Sequence, residues 1–354
     1  MFLTDGTFES AVQVGNGHIH DTFRINTAGS VKDDYIIQRL NNKVFRNIPE
    51  LQENIELVTG HMIRKLSEIP GSDLKRECLN PVYAGNGKSF IVDEEGNYWR
   101  MYIYIRDHRS YEIVDSPAKA FEGGRVIGRF QAMLADLPGK PLHETIPCFH
   151  DVEKRLATFE QVVEADSMKR VKTSSGEIDF IRRRADEMKV ILRLGREGKI
   201  PLRITHNDTK FNNILLDTHD RALCLIDLDT VMPGYVHYDF GDAIRTGANV
   251  AEEDEKDLSK VRMDIGLFEA FAGGYLSEAG DTLNPVEIEW LAFAPRLITY
   301  IMGLRFLTDY LDGDNYFKIR HEYHNLQRAR SQLRLVESME EQYPLMKKII
   351  GNLT

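Results

Sequence analysis

Through the first hundred or so residues apolar side chains alternate with polar ones in short runs, and farther along they recur at the three- and four-residue intervals of helices. Val12 and Val14 lead into Gly15-Asn16-Gly17, and Phe23 and Ile25 follow, a pattern that predicts strand, glycine turn and strand. A third strand is expected over 34–40, then a helix from Pro49 with Leu51, Ile55, Val58 and Met62 near helical spacing. Runs at 82–83, 89–92 and 98–103 continue the sheet, with Asp93-Glu94-Glu95-Gly96-Asn97 as the turn between the last two. Ser116-Pro117 reads as N-cap and first helical residue, and Phe121, Ile127, Phe130 and Leu134 form the apolar stripe of the helix behind it. Another helix is predicted over 178–194, where Arg182-Arg183-Arg184 reads as a solvated face, and Gly198 ends the connection that follows. Beyond Arg245 the pattern is helical, with segments expected over 254–278, 285–311 and 316–343. Strands first and helices later predict an α+β chain with a small β-rich lobe over 1–105 and a large helical lobe over 106–354.

Between these two regimes lies a hairpin signal. Ile214-Leu215-Leu216 and Leu223-Cys224-Leu225-Ile226 are apolar runs separated by a turn-rich segment, so they should pair antiparallel. A register centred on Asp220 sets Leu215 opposite Leu225 and Asn213 opposite Asp227, which brings an amide and a carboxylate to the open end of the hairpin. Two hard oxygen ligands there would share one Mg2+ ion. Asp208, five residues before Asn213, precedes the first strand in Ile204-Thr205-His206-Asn207-Asp208-Thr209-Lys210-Phe211-Asn212-Asn213. That spacing suits phosphoryl transfer from ATP, which asks for a carboxylate to receive the acceptor's proton beside oxygen ligands for the metal. His206 reads as a structural residue that hydrogen-bonds the backbone of this loop. Gly15-Asn16-Gly17 reads as a flap whose amides approach phosphate oxygens, and the segment from Tyr102 and Ile103 to Ile105 as the connection whose backbone meets the adenine edge in a cleft.

Composition narrows the alternatives. A net charge of -10 over 354 residues argues against a nucleic-acid partner, which needs clustered cations. Cys78, Cys148 and Cys224 lack metal-ligand spacing and read as reduced thiols. The first residues have neither the basic start nor the apolar run of a signal peptide, and Arg296 and Arg305 interrupt the most apolar later stretch, so no membrane role and a cytoplasmic location are expected. Neither repeats nor low-complexity tracts occur. His150-Asp151 offers a metal-dependent phosphohydrolase as a rival, although no further histidines stand at helical spacing from it.

The residues of the loop resemble the aminoglycoside phosphotransferase and choline kinase branch of the protein-kinase-like fold, and the resemblance covers nearly the whole chain. Two further stretches are similar to the N-acetylhexosamine 1-kinase subfamily. One comprises Met232-Pro233-Gly234 with 238–249, and the other runs over 303–314. The resemblance implies a bilobal fold and ATP-dependent phosphorylation of the anomeric hydroxyl of N-acetylglucosamine or N-acetylgalactosamine without a phosphoenzyme. Asp208 would act as base, Lys210 would offset charge on the moving group, and Asn213 and Asp227 would hold magnesium. Arg305 first, then Asp309, Tyr310, Asp312 and Tyr316, are candidates for the sugar, Asp229 for metal or sugar, and Asp239 and Asp242 for bracing the loop. Choline, an aminoglycoside or another hexose is the alternative acceptor, and a nucleotide-binding module without transfer is the alternative class. One departure stands out: where kinases carry a third-strand lysine, Tyr35-Ile36-Ile37-Gln38 ends in glutamine. Either that strand bulges or a different cation serves the phosphates, because Arg39 should face the other side of the sheet.

Overall fold

The computed structural model describes residues 1–14, 19–29, 33–137 and 142–354. The chain divides into two units, the first formed by Met1–Arg109, Met133–Pro147 and Leu215–Pro233, the second by Ser110–Ala132, Cys148–Ile214 and Gly234–Thr354.

In the first unit β1 (Thr7–Gln13), β2 (Asp21–Ala28), β3 (Tyr35–Arg39), β4 (Phe90–Val92) and β5 (Tyr98–Ile103) build an antiparallel sheet in the order β1-β2-β3-β5-β4. One face buries Tyr35 and Met101 against Phe2, Val82 and Ala84, with Ile25, Ile37, Trp99 and Ile103 packed beside them. The β4–β5 turn closes as expected: the Asp93 carboxylate accepts the Asn97 and Glu95 amides, and Gly96 takes φ 81°. α1 (Ile48–Ser67) starts at Asn47, whose side chain accepts from Glu50 N, has Pro49 in its first turn, and buries Leu51, Ile55, Val58 and Met62. β6 (His108–Arg109) pairs antiparallel with β8 (Ile214–Asp217), which lies next to β9 (Ala222–Leu225).

The second unit is helical: α2 (Pro117–Leu134, its last two residues belonging to the first unit), α3 (Val152–Ala165), α4 (Ser175–Met188), α5 (Val190–Arg196), α6 (Val236–Gly247), α7 (Ile265–Ala279), α8 (Pro285–Glu289), α9 (Ala294–Leu311) and α10 (His324–Leu353). Two short strands belong to its chain path, β7 (Arg203–Thr205) and β10 (Met232–Gly234), the latter where the chain passes from the first unit into the second. α9 is buried on every side, the mark of a central rather than a surface helix. Around it α3, α4, α6 and α10 close a core that includes Phe159, Ile181, Leu297, Ile298, Ile301, Leu304, Leu333 and Val336. The segment Pro285–Leu311 is long and apolar enough to cross a membrane by length and composition, yet 89% of its apolar 18-residue window is buried within the protein.

Several sequence expectations shift here. The 178–194 helix is two helices, because the chain tightens at Lys189, and Gly198 at φ 69° ends the connection as expected. Of the stripe on α2, Ile127, Phe130 and Leu134 are buried whereas Phe121 is 38% exposed. The helix expected over 254–278 begins only at Ile265, where the Asp264 carboxylate caps the Gly266 and Leu267 amides. That expected over 316–343 instead runs over His324–Leu353, through Pro344. In the hairpin, Asp217 N donates to Arg221 O and Asp220 takes φ 59°, so Asp220 is a left-handed turn residue and the turn pivots at His219 rather than on Asp220.

Candidate functional site

β7 delivers the chain into the loop that the sequence singled out, and everything around that loop in the second unit pins its backbone. Asp239, on the first turn of α6 and fully buried, accepts Asn207 N at 2.7 Å on one carboxylate oxygen. Its other oxygen accepts His206 N at 2.9 Å and Gln131 Nε2 at 2.8 Å. Thr209 Oγ1 donates to the Asp239 carbonyl at 2.6 Å, and Gln131 in turn accepts from the Tyr275 hydroxyl. Burial raises the Asp239 carboxyl above its ordinary range, a cost that these donors and nearby His206 work against. Asn207 sits at φ 65°, uncommon for a residue with a Cβ, and its carbonyl is held at 2.9 Å by Nε2–H of His150. His206 is buried edge-on to Phe130, and its Nδ1 accepts Asp208 N at 3.3 Å, the backbone role the sequence suggested. Gly234 presses on the same loop: a Cβ there would overlap Thr205 Oγ1 and come within 3.0 Å of Asn207 Oδ1. Asp239 therefore braces the loop as expected, whereas Asp242 pairs with Arg245 within α6.

Held this way, Asp208 leaves its side chain 24% exposed, with Lys210 Nζ at 3.2 Å from Oδ2. Asn213 ends the short turn Phe211–Asn213, and its Nδ2 donates to the Asp208 carbonyl at 2.8 Å. The donor end of that amide is thus spent within the loop, which leaves Oδ1 as the end suited to a cation.

Arg305 and Tyr316 lie in the second unit too. The Arg305 guanidinium is ringed by Phe149, Phe317 and Tyr316 at 5.2, 5.3 and 5.6 Å, and it donates to the Tyr316 hydroxyl at 3.5 Å. Among the described residues no carboxylate pairs with it, nor with neighbouring Arg155, which donates to the Phe149 carbonyl. Burial, followed by the Arg305 charge, holds Arg155 down to about 10. His150 lies between Phe149 and Tyr238 and is held down to about 3 mainly by burial, so it remains uncharged. The phosphohydrolase dyad does not form, since Asp151 caps α3 at Lys154 N and His150 serves the loop. The described residues contain no group of three or more His, Cys, Asp or Glu able to hold a metal.

The first unit carries the rest. Gln38 lies directly across from Arg100 in an unbroken β3–β5 register, so β3 does not bulge. Arg100 Nε donates to Gln38 Oε1 at 2.9 Å, and both terminal nitrogens of its buried guanidinium reach Asp229. His20 Nε2 meets the same carboxylate at 2.5 Å. Asp229 is thus 3% exposed with both oxygens engaged, in place of the open carboxylate that a sugar contact would need. Arg39 pairs with Asp21 at the surface, on the opposite side from Gln38 as alternation required, and Glu53 meets His143. Asp227 follows β9 at φ 65° and opens the turn Leu228–Thr230. β5 runs on through Ile103, whose amide donates to Asn80 O, and Tyr102 bridges Pro81, so the backbone expected to read adenine is committed to the sheet at both residues. The Tyr102 hydroxyl is buried without a hydrogen-bond partner among the described residues. Gly15, Asn16 and Gly17 lie outside the described residues. Arg100 and His20 were missed in the sequence because a buried arginine on a strand carries no local pattern; the glutamine at the lysine position was the only hint.

The family model described as APH, phosphotransferase enzyme family, matches residues 10–262. An aminoglycoside phosphotransferase from Alicyclobacillus acidocaldarius is similar in structure with a TM-score of 0.61 at 10% identity, over 99% of this chain and 94% of its own. For a choline kinase from Cryptosporidium parvum the TM-score is 0.57 at 13% identity, over 97% and 92%. A spectinomycin phosphotransferase in complex with ADP and spectinomycin gives 0.57 at 12% identity, over 96% and 95%. Likeness at these identities establishes the fold, a protein-kinase-like one with an N-terminal antiparallel sheet and a mainly helical C-terminal part.

Proposed function

Because the chain belongs to the phosphotransferase enzyme family, we propose that it moves the terminal phosphoryl group of ATP onto the anomeric hydroxyl of an N-acetylhexosamine, giving the sugar 1-phosphate. Nucleotide binding is supported by relatives solved with ADP. The acceptor assignment is carried by one observation: Arg305 and Arg155, close enough that one charge depresses the other, stand without a carboxylate partner among the described residues, beside His150 and the Asp208 loop. Such a surface repels the cationic acceptors choline and aminoglycosides, and it offers donors and aromatic faces to an uncharged polyol. The subfamily stretches at 232–234 with 238–249 and at 303–314 point the same way.

In this reading the acceptor oxygen attacks the terminal phosphorus while the bond to the bridging oxygen of ADP breaks, and the hydroxyl proton passes to Asp208. Lys210, at 3.2 Å from that carboxylate, offsets charge on the moving group. Asn213 through Oδ1 and Asp227 would hold magnesium, which neutralises charge on the phosphates when bound. An amide oxygen and a carboxylate suit that hard ion, which takes few protein ligands and completes its shell with phosphate oxygens and water.

The test is a panel of free sugars, choline and aminoglycosides with ATP and magnesium, following ADP release and reading the product's phosphate position by phosphorus NMR. N-acetylhexosamines should turn over with phosphate at C1, and faster phosphorylation of an amine would overturn the acceptor assignment. Asp208→Asn should retain nucleotide affinity and lose about 10²- to 10⁴-fold in kcat. Unchanged turnover would rule out Asp208 as the base.

A further inference from the structure

Gln38 removes the cation that kinases carry on the third strand, and the unbroken register of β3 leaves no bulge to bring Arg39 round in its place. The buried cation of this neighbourhood is Arg100, one strand over. All of its nitrogens are occupied inside the protein, Nε by Gln38 and the terminal pair by Asp229. We propose that Arg100 and His20 are positioning residues for Asp227: by clamping Asp229 they fix the turn Leu228–Thr230 and, with it, the carboxylate two residues earlier that would hold the magnesium of the nucleotide. The inference rests on the reading of Asp227 given above.

The geometry favours a clamp over an isolated ion pair. His20 accepts Asn41 N at 3.0 Å on Nδ1, which leaves the ring proton on Nε2 to donate to Asp229. Gln38 passes the network on to Thr22 Oγ1 at 3.0 Å, so residues from β2, β3 and β5 and the two chain segments that flank β2 and β3 share one network, in which Arg100 and His20 hold the carboxylate itself. On the other side of the turn Asn54 of α1 donates to the Val231 carbonyl at 3.0 Å. The turn is thus tied to the sheet at its middle and to the helix at its end. What the ties restrain is Asp227 itself, whose φ of 65° lies in the left-handed region, a conformation that persists when its surroundings over-determine it. Loosening the clamp lets that residue relax and its carboxylate swing. An arginine suits this task better than a lysine would, because its fork fixes both carboxylate oxygens.

The experiment compares Arg100→Lys, His20→Gln and Asp227→Asn with the wild type. Manganese binding is measured by electron paramagnetic resonance in the presence of a non-hydrolysable ATP analogue, alongside the magnesium half-saturation of turnover, the acceptor KM and thermal unfolding. Arg100→Lys and His20→Gln should each weaken manganese binding about tenfold or more, the scale expected when a supporting partner of a metal ligand is lost, with the acceptor KM unchanged. Should both bind manganese like the wild type while Asp227→Asn loses it, the clamp is overturned and the metal assignment stands. Should Asp227→Asn also bind normally, the reading of Asp227 falls and the clamp with it. If Arg100→Lys does not fold, His20→Gln decides, since it keeps the Arg100–Asp229 pair.

Discussion

Replacing Asp239 by asparagine tests whether the Asp208 loop is held by one buried carboxylate. Asparagine has nearly the same shape but a single acceptor oxygen. If that oxygen keeps His206 N and Gln131 Nε2, the new amide faces Asn207 N, a donor formerly satisfied at 2.7 Å; the opposite orientation leaves two donors unmet. The better orientation therefore loses one charge-assisted bond, about 1.5–3 kcal/mol, and strands a buried donor at about 1–3 kcal/mol, against which relief from burying a charge works. The net should be roughly 2–4 kcal/mol, a fall in Tm of about 5 °C for a protein of this size. Because the donor that moves belongs to the residue before Asp208, kcat should fall about tenfold or more while the KM for ATP stays close to wild type. There is a pH signature as well. The folded carboxyl sits above its unfolded value, so the native state binds more protons between the two, and stability declines as pH rises through the raised value. That decline should vanish in D239N. Calorimetry across pH and steady-state kinetics give all three quantities. A variant with wild-type kcat and Tm would refute the brace.

Two other expectations follow from single distances and turns. Gly234→Ala puts a Cβ on Thr205 Oγ1, with Asn207 Oδ1 beside it at 3.0 Å, and should cost about 1–3 kcal/mol by chemical denaturation together with a loss of kcat; unchanged values would mean that the loop yields freely. Burial raises the Asp217 carboxyl, but the Arg221 and His219 amides and the Arg221 guanidinium outweigh this and bring it to about 2, so its contribution is present above pH 3.8 and is lost as pH falls toward 2. Asp217→Asn should flatten the acid limb of the stability curve in that window, and an identical limb would exclude the turn as its source.

Local structure was legible in the sequence. Spacing marked Asp208 and Asn213 and the family resemblance marked Lys210, three residues that the fold gathers on one short loop, and turn and helix-start residues such as Pro49, Ser116-Pro117 and Asp93–Asn97 announced their elements because their hydrogen bonds run between near neighbours. Where a turn carried an extra left-handed residue, as at Asp220, or a polar stretch preceded a cap, as before Asp264, periodicity misplaced the boundary by a few residues or a whole segment. Residue identity at Gln38 marked a departure from the third-strand lysine, without revealing that its side chain holds Arg100.

Tertiary structure alone decided the rest. Arg100 and Asp229 are 129 positions apart, His206 and Asp239 are 33, and Gln131 and Asp239 are 108. A buried polar group takes whichever partner the fold brings within about 3 Å, and that depends on which strands become neighbours and where a helix ends. Side-chain period carries no record of such partners. The loop's candidate residues stand close together in the sequence, whereas its rigidity lies in contacts that exist only once the chain has folded.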